Sequence, residues 1–165
     1  FNTIIRYYKD NNDDKFLLDK VLDKNLDSFY NKIDNNEFQR LKILSVAYNN
    51  LFKLNLNVFS LINLTELNLE KNYLKKIPEE LGQLVNLNTF NVSYNLLVDL
   101  PYSMTKLNNL HTLILDFNDF RQIPPIITEI INLKILFIEG NKHLSSFPPS
   151  DKILNLKNLE IIILY

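Results

Sequence analysis

Three carboxylates, Glu70, Asp116 and Glu139, are the first residues whose types and spacing suit a chemical role. Asp116 and Glu139 are 139 − 116 = 23 residues apart, and Glu70 precedes Asp116 by 116 − 70 = 46. If 23 residues form one turn of a stacked coil, adjacent carboxylates lie about 5 Å apart. Two carboxylates at that distance can hold an Arg or Lys side chain of a partner. The alternative is that they are solvated surface groups that bind nothing.

The other titratable residues form no pattern typical of a catalytic, metal or cofactor site. His111 and His143 have no carboxylates at metal-ligand spacing around them, so we interpret them as surface or loop histidines. Glu79 and Glu80 are adjacent in an expected loop, where no pocket for acid–base chemistry is implied. The absence of cysteine excludes thiolate metal sites, and two glycines are too few for a phosphate-binding loop. We therefore predict that the chain is not an enzyme and has no metal site and no cofactor.

Length, charge and hydropathy limit the number of structural units and the classes of partner that the chain can have. A chain of 165 residues with 46% hydrophobic residues can bury one core, which predicts a single structural unit. A net charge of −1 and scattered lysines do not favour nucleic acid or an anionic membrane surface. No run of about 18 apolar residues occurs, so we predict no membrane insertion.

A repeat organises most of the sequence. The pattern Leu-x-x-Leu-x-Leu-x-x-Asn-x-Leu, with apolar substitutions, starts at Leu41 and returns every 23 residues (64 − 41, 87 − 64, 110 − 87 and 133 − 110). A sixth copy begins after 159 − 133 = 26 residues. Each of the first five copies has Asn at the same place: Asn49, Asn72, Asn95, Asn118 and Asn141.

This pattern resembles the leucine-rich repeat family, over residues 41 to 165. The segment IPEELGQLVNL at residues 77–87 is similar to the second half of the repeat in the intracellular Ras-group class, which includes Ras suppressor and Scribble-type proteins. The Leu-Pro step of that class recurs at Leu100-Pro101, Ile123-Pro124 and Phe147-Pro148. The first copy departs from it, because Leu54-Asn55 stands in that place.

The repeat predicts an α/β leucine-rich-repeat solenoid, a curved horseshoe. A parallel sheet lines its concave face, and short helical or irregular segments lie on the convex face. In Leu67-Asn68-Leu69 the alternation has period two, so both leucines point inward from a short strand that must pair with the next copy. The recurrent asparagine is expected to hydrogen-bond the buried backbone of the turn after each strand.

The two ends of the chain break the pattern. Residues 1–40 are predicted to be an N-terminal capping segment, helical or a degenerate repeat, and residues 41–165 hold five complete repeats and a truncated sixth. Asn11-Asn12-Asp13-Asp14 is typical of a polar turn. The chain stops at Tyr165 inside the sixth strand, which would leave an uncapped edge, so we expect the natural protein to continue. The apolar residues with helix-like spacing in the first segment are Phe16, Leu17, Val21, Leu22, Leu26, Phe29 and Ile33.

Outward positions of the strands are the candidate binding residues. The middle column changes from Ser45, Asn68 and Asn91 to apolar residues in the C-terminal half, which predicts a contiguous apolar strip edged by acids and aromatics. Such a patch is typical of a protein-binding surface, although a neighbouring segment of the full-length protein would explain it equally. The predicted partner-binding residues are Tyr94, Ile114, Asp116, Phe117, Ile135, Phe137, Glu139, Ile161 and Ile163.

Three hypotheses about function remain open. The first is a protein–protein interaction module in intracellular signalling, located in the cytoplasm; the resemblance implies a small GTPase or a phosphatase subunit as partner. The second is the targeting arm of a larger signalling enzyme, such as a metal-dependent Ser/Thr phosphatase, a kinase or an adenylyl cyclase, whose catalytic domain lies outside this chain. The third is an extracellular recognition repeat, which would carry sugar at the sequons of Asn63 or Asn91.

Overall fold

The computed structural model describes residues 15–17, 30–31, 33, 38–146 and 148–164. Its framework is a seven-stranded parallel sheet in which the strands follow one another in chain order. Each strand has three residues, too few to be stable without pairing to a neighbouring strand. The strands are β1 (Lys15–Leu17), β2 (Ile43–Ser45), β3 (Glu66–Asn68), β4 (Thr89–Asn91), β5 (Thr112–Ile114), β6 (Ile135–Phe137) and β7 (Ile161–Ile163).

The 23-residue period sets the register of the sheet. Leu67 in β3 pairs with Phe90 in β4, and Phe90 pairs with Leu113 in β5, so equivalent residues of successive copies form straight columns. In β2 to β6 the middle residue points into the core, because side chains alternate along a strand, whereas Ile162 of β7 is 42% exposed. Leu67, Phe90, Leu113 and Leu136 are accordingly buried.

Four 3₁₀-helices form the opposite face of the coils. Three of them begin directly after Pro78, Pro101 or Pro124, whose restricted φ favours the extended entry to a helix. In the first copy Asn55 replaces this proline, and its side chain accepts a hydrogen bond from the Asn57 backbone N–H at 2.9 Å. The departure from the Leu-Pro step therefore leaves the helix intact. These helices are η1 (Leu56–Ser60), η2 (Glu79–Gln83), η3 (Tyr102–Lys106) and η4 (Pro125–Glu129).

The coil after β6 differs from the others. It contains a short α-helix, Ser150–Ile153, and the longer spacing of 26 residues brings Ile161 opposite Ile135. Phe147, part of the sequence signature at this point, lies outside the described residues. The sixth copy therefore forms a strand at the position that its alignment predicts.

One hydrophobic core of buried residues connects the coils as far as Ile138, and Leu156, Leu159 and Leu164 of the last coil are partly buried against it. In the N-terminal segment, β1 pairs with β2 in parallel register, and Tyr30 and Ile33 are buried in the same core. Residues 15–17 thus add a strand to the sheet, whereas the capping role of residues 1–40 stays a prediction. The predicted turn at residues 11–14 and the apolar residues Val21, Leu22, Leu26 and Phe29 lie outside the described residues.

The predicted asparagine ladder is confirmed. Asn95 is 4% exposed, and its Nδ2 donates to the carbonyl oxygens of Leu69, Val92 and Ser93 at 3.0 to 3.1 Å. Its Oδ1 accepts the N–H of Leu74 in the preceding coil at 2.9 Å. Asn72 and Asn118 make the equivalent bonds, so the ladder satisfies backbone groups that the apolar core cannot.

Candidate functional site

The sheet brings the predicted apolar strip together. Ile114, Phe137 and Ile163 are consecutive partners in the registers of β5, β6 and β7, and all three are half-buried. Ile135 and Ile161 form a second apolar column at the start of the same strands, where Ile161 is 46% exposed. These five residues, which we call the apolar strip, lie on a sheet surface that the coils hold rigid.

In the N-terminal half, the sheet column that holds Ile114 and Phe137 contains two asparagines, and each accepts a backbone hydrogen bond within its own coil. Asn68 Oδ1 accepts the backbone N–H of Glu70, and Asn91 Oδ1 accepts that of Ser93, both at 3.0 Å. In the C-terminal half, Asp116 Oδ1 accepts the Glu139 N–H at 2.7 Å. Because a carboxylate from the preceding coil performs this role, Phe137 needs no hydrogen-bonding side chain and its position is available for an apolar residue.

The acidic column is built from Asp116 and Glu139, both partly buried beside the apolar strip. Burial raises the pKa of the Asp116 carboxyl above its usual value; the hydrogen bond from the Glu139 N–H opposes this rise, and the Glu139 charge adds to it. Within the part of the chain that the structure describes, the ion pairs are Glu70 with Lys71 and Lys134 with Glu160. Asp116 and Glu139 thus form an acidic edge that has no ion-pair partner among the described residues.

Glu70 lies in the same column as Asp116 and Glu139, and it forms an ion pair with a lysine. Its Oε1 lies 3.8 Å from Lys71 Nζ and accepts a hydrogen bond from Tyr48 Oη at 3.2 Å. Lys71 Nζ donates to Tyr48 Oη at 3.3 Å and lies 4.5 Å and 4.9 Å from the ring centroids of Tyr48 and Tyr94. The hydrogen bond to Tyr48 raises the pKa of Lys71. The N-terminal half thus neutralises its own acid with a lysine between two tyrosines.

The rim of the concave face continues this stack into the C-terminal half. Tyr94 and Phe117 stack with centroids 4.3 Å apart and planes at 13°, and each is about 40% exposed, at 41% and 39%. Beyond them Gly140 has φ +68°, and a Cβ there would come within 2.4 Å of Phe117 Cδ1. Gly140 therefore makes room for the Phe117 ring.

The outward positions expected from the repeat include Lys71 and Gly140, but their contacts with the rim rings were not predicted, and three other residues expected on this face are buried. Lys71 and Gly140 share a column with Tyr94 and Phe117 at 23-residue spacing, which was the available signal for these contacts. Ser45, Ala47 and Ser93, expected on the concave face, are buried at 4%, 0% and 5% exposure. Their side chains are small enough to fit below the rim, so the column of Glu70, Asp116 and Glu139 is buried in the first and third copies, at Ala47 and Ser93.

His111 and Glu79, which the sequence does not favour as catalytic residues, make polar contacts within the fold. His111 Nδ1 lies 2.6 Å from the Asn109 carbonyl and 3.0 Å from Asn88 Nδ2. The Glu79 carboxylate accepts the N–H groups of Tyr102 and Ser103, at 3.1 and 2.8 Å, and the bond from Ser103 lowers its pKa. Glu79 therefore caps the next 3₁₀-helix. The described residues contain no cluster of three side chains suited to a metal ion.

A polar groove follows the edge at which the strands begin, away from the apolar strip. A second asparagine ladder runs along it, which the sequence analysis did not anticipate: Asn63, Asn86 and Asn109 each donate from Nδ2 to a carbonyl of the preceding coil, at 2.6 to 2.9 Å. These bonds tie the coils together on the exposed side. The described residues that line the groove are Arg40, Lys42, Asn63, Thr65, Asn86, Asn88 and Asn109.

The comparisons with known proteins agree with this geometry. The family model for the leucine rich repeat matches residues 39–97 and 62–120, which are the copies with the most regular period. The chain is a leucine-rich repeat solenoid. Such repeats are generally non-catalytic modules for protein–protein interaction. No curated protein matches the sequence.

Solved leucine-rich repeat structures have the same fold. The ectodomain of the Arabidopsis thaliana membrane receptor kinase GASSHO1/SCHENGEN3, in complex with CASPARIAN STRIP INTEGRITY FACTOR 2, is 24% identical with a TM-score of 0.62 over 81% of this chain. The plant peptide hormone receptor RGFR1, in complex with RGF2, is 23% identical with a TM-score of 0.67 over 92% of this chain. The present chain spans 16% and 24% of the lengths of those two proteins. Within the described residues, no helix has the length and apolarity needed to cross a bilayer.

Proposed function

We propose that this leucine-rich repeat recruits a protein partner on the concave face of its C-terminal half, without catalysing a reaction. The observation that carries the proposal is the apolar strip beside an acidic edge for which the described residues supply no ion-pair partner. A contiguous apolar surface with a polar rim is the usual composition of a protein interface. The rigid sheet also lowers the entropic cost of binding, because its side chains are held before the partner arrives.

The charges define the chemistry of the partner. An apolar side chain of the partner would pack against Ile114 and Phe137, and an Arg or Lys next to it would reach Asp116 and Glu139. The arrangement of Glu70 and Lys71 supports this assignment, since the same acidic column already holds a lysine two coils away. A basic residue would also relieve the repulsion between Asp116 and Glu139.

A pair of matched variants tests the site. Phe137→Asp places a charge in the strip, and Asn68→Asp places the same charge in the same sheet column, three strands away, while keeping the oxygen that accepts the Glu70 N–H. We expect Phe137→Asp to abolish capture of the partner from the source cell and Asn68→Asp to retain it, with unchanged circular dichroism for both. Equal capture by the two variants would show that the partner does not bind the apolar strip.

We further propose that the module acts in intracellular signalling in the cytoplasm. The resemblance of residues 77–87 to the Ras-group class supports this, as does the absence of cysteine. A small GTPase or a phosphatase subunit is the partner that this resemblance suggests. The intact mass of the gene product in its source cell separates two forms of the proposal: a mass near 19.5 kDa indicates a module alone, and a much larger mass indicates the targeting arm of a signalling enzyme.

Extracellular peptide recognition is the second candidate function. Its support is that the two solved structures above are plant receptors, one of which is described as a peptide hormone receptor. This candidate requires sugar at the exposed Asn63 or the half-buried Asn91. A mobility shift of native protein on glycosidase treatment would favour it, and an unchanged mobility would favour the cytoplasmic module.

A further inference from the structure

A pair of stacked aromatic rings lies exposed on the flank of the first two repeat copies, where the chain leaves the strands. Phe52 and Tyr73 have centroids 5.4 Å apart and planes at 17°, yet they are 71% and 46% exposed. Val98, in the next copy, is 59% exposed. Rings that are fixed by stacking but remain in solvent are suited to anchor an interface, because little side-chain entropy is lost on binding.

Three lysines lie close to these rings along the chain: Lys53, Lys75 and Lys76. Lys75 and Lys76 follow Phe52 and Lys53 by one period, 75 − 52 = 23 and 76 − 53 = 23, so they occupy the equivalent places of the next coil. All three lysines are exposed, and none takes part in the ion pairs of the described residues. We define the lysine flank as Phe52, Lys53, Tyr73, Lys75, Lys76 and Val98.

A recess lies within this flank, between the second and third copies. It is lined by Lys75, Lys76 and Val98 together with Asp99, Glu79, Ile77, Leu100 and Pro101. The two acids of the recess are already bonded to the backbone: Asp99 Oδ1 accepts the Leu100 N–H at 2.8 Å, and Glu79 caps η3. The lysines are therefore the groups with donors left for a ligand.

We propose that the lysine flank is a second docking surface, for an acidic protein segment that carries an apolar side chain. The apolar side chain packs against Phe52 and Tyr73, and the carboxylates of the segment meet Lys53, Lys75 and Lys76. A protruding acidic side chain can enter the recess, whereas a flat lipid surface cannot, so a protein segment is favoured over an anionic membrane. This surface has the opposite charge to the acidic edge of the concave face and is independent of it.

Defined probes test the lysine flank. The first is a synthetic peptide with glutamates flanking one phenylalanine; the second has lysines in place of the glutamates. Phosphatidylserine and phosphatidylcholine vesicles form the lipid arm. The flank variants are Phe52→Ala and the double variant Lys75→Glu/Lys76→Glu. Their controls are Tyr102→Ala, which removes an aromatic ring that is 74% exposed elsewhere, and Lys152→Glu/Lys157→Glu, which makes the same change of charge.

We expect the acidic peptide, and not the basic one, to bind the full chain. Each flank variant should weaken binding at least about tenfold, because central aromatic and charged contacts carry most of an interface's affinity. The controls should bind as wild type does, and salt should slow association. The proposal is overturned if the acidic peptide does not bind, if the flank variants bind it like their controls, or if only the phosphatidylserine vesicles bind. Phe137→Asp should leave this binding unchanged, which separates it from the concave site.

Discussion

Replacing Asn95 by alanine tests the internal ladder, and the structure shows which backbone group would lose its partner. The three carbonyls that Asn95 Nδ2 contacts have other donors. Leu69 O also accepts from Asn72, Val92 O from Asn118, and Ser93 O from the Lys71 N–H. The Leu74 N–H, in contrast, donates to Asn95 Oδ1, and Asn95→Ala removes this acceptor from a buried site.

The expected loss of stability follows from this single buried donor. A buried backbone group without a partner costs about 1 to 3 kcal/mol, so Asn95→Ala should lower the free energy of unfolding by about that amount. Asn86→Ala is the matched control at the end of the preceding repeat copy, because Asn86 is exposed and makes one bond to Ile62 O. It should change the free energy by no more than about 0.5 kcal/mol. Urea unfolding of the full chain measures both values. A difference between the two variants below about 0.5 kcal/mol would refute the role assigned to the ladder.

Three further variants test the contacts around the site. Gly140→Ala should destabilise the chain by about 1 to 3 kcal/mol, because the added methyl group would clash with the Phe117 ring. In a double-mutant cycle, the same change made in the Phe117→Ala background should cost less. An unchanged cost would assign the destabilisation to the backbone conformation of residue 140 instead. Because the folded-state pKa of Asp116 is raised, its favourable contribution is lost as pH rises above its usual value of 3.8. The melting temperature of Asp116→Asn relative to wild type should therefore increase between pH 3 and 7, and a flat difference would argue against this. Glu79→Ala should lower the melting temperature at neutral pH more than Glu80→Ala does. The difference should disappear in acid, because the pKa of Glu79 is lowered from 4.5 and its stabilising effect is lost when the carboxylate is protonated. Equal effects of the two variants at neutral pH would show that Glu79 does not cap the helix.

Features that repeat with the 23-residue period could be predicted from sequence. Leu67 and Phe90 had to share a column because a constant period stacks equivalent residues, and Asn95 had to lie inside because the turn after each strand needs a partner for its backbone. The same reasoning placed Ile114, Phe137 and Ile163 side by side on the sheet. That these residues bind a partner is a proposal, since register establishes proximity and not affinity.

Features that depend on contacts between unlike residues could not be predicted. Lys71 lies between Tyr48 and Tyr94 because of side-chain directions across three coils, which spacing does not encode. Asp116 accepts the Glu139 N–H, so part of the predicted acidic site is also a structural bond. Strand β1 was not predicted, because the paired residues Phe16 and Leu44 are 44 − 16 = 28 residues apart and this spacing differs from the regular period.

Site-specific photocrosslinking tests the central claim, that the concave face of the C-terminal half binds a protein, most directly. A photoreactive phenylalanine analogue would replace Phe137 on the apolar strip, or Val85, which is 46% exposed in the loop after η2, as the control. Irradiation in the source cell should give one discrete adduct from position 137 and none from position 85. Adducts from position 85 alone, or equal adducts from both positions, would contradict the account.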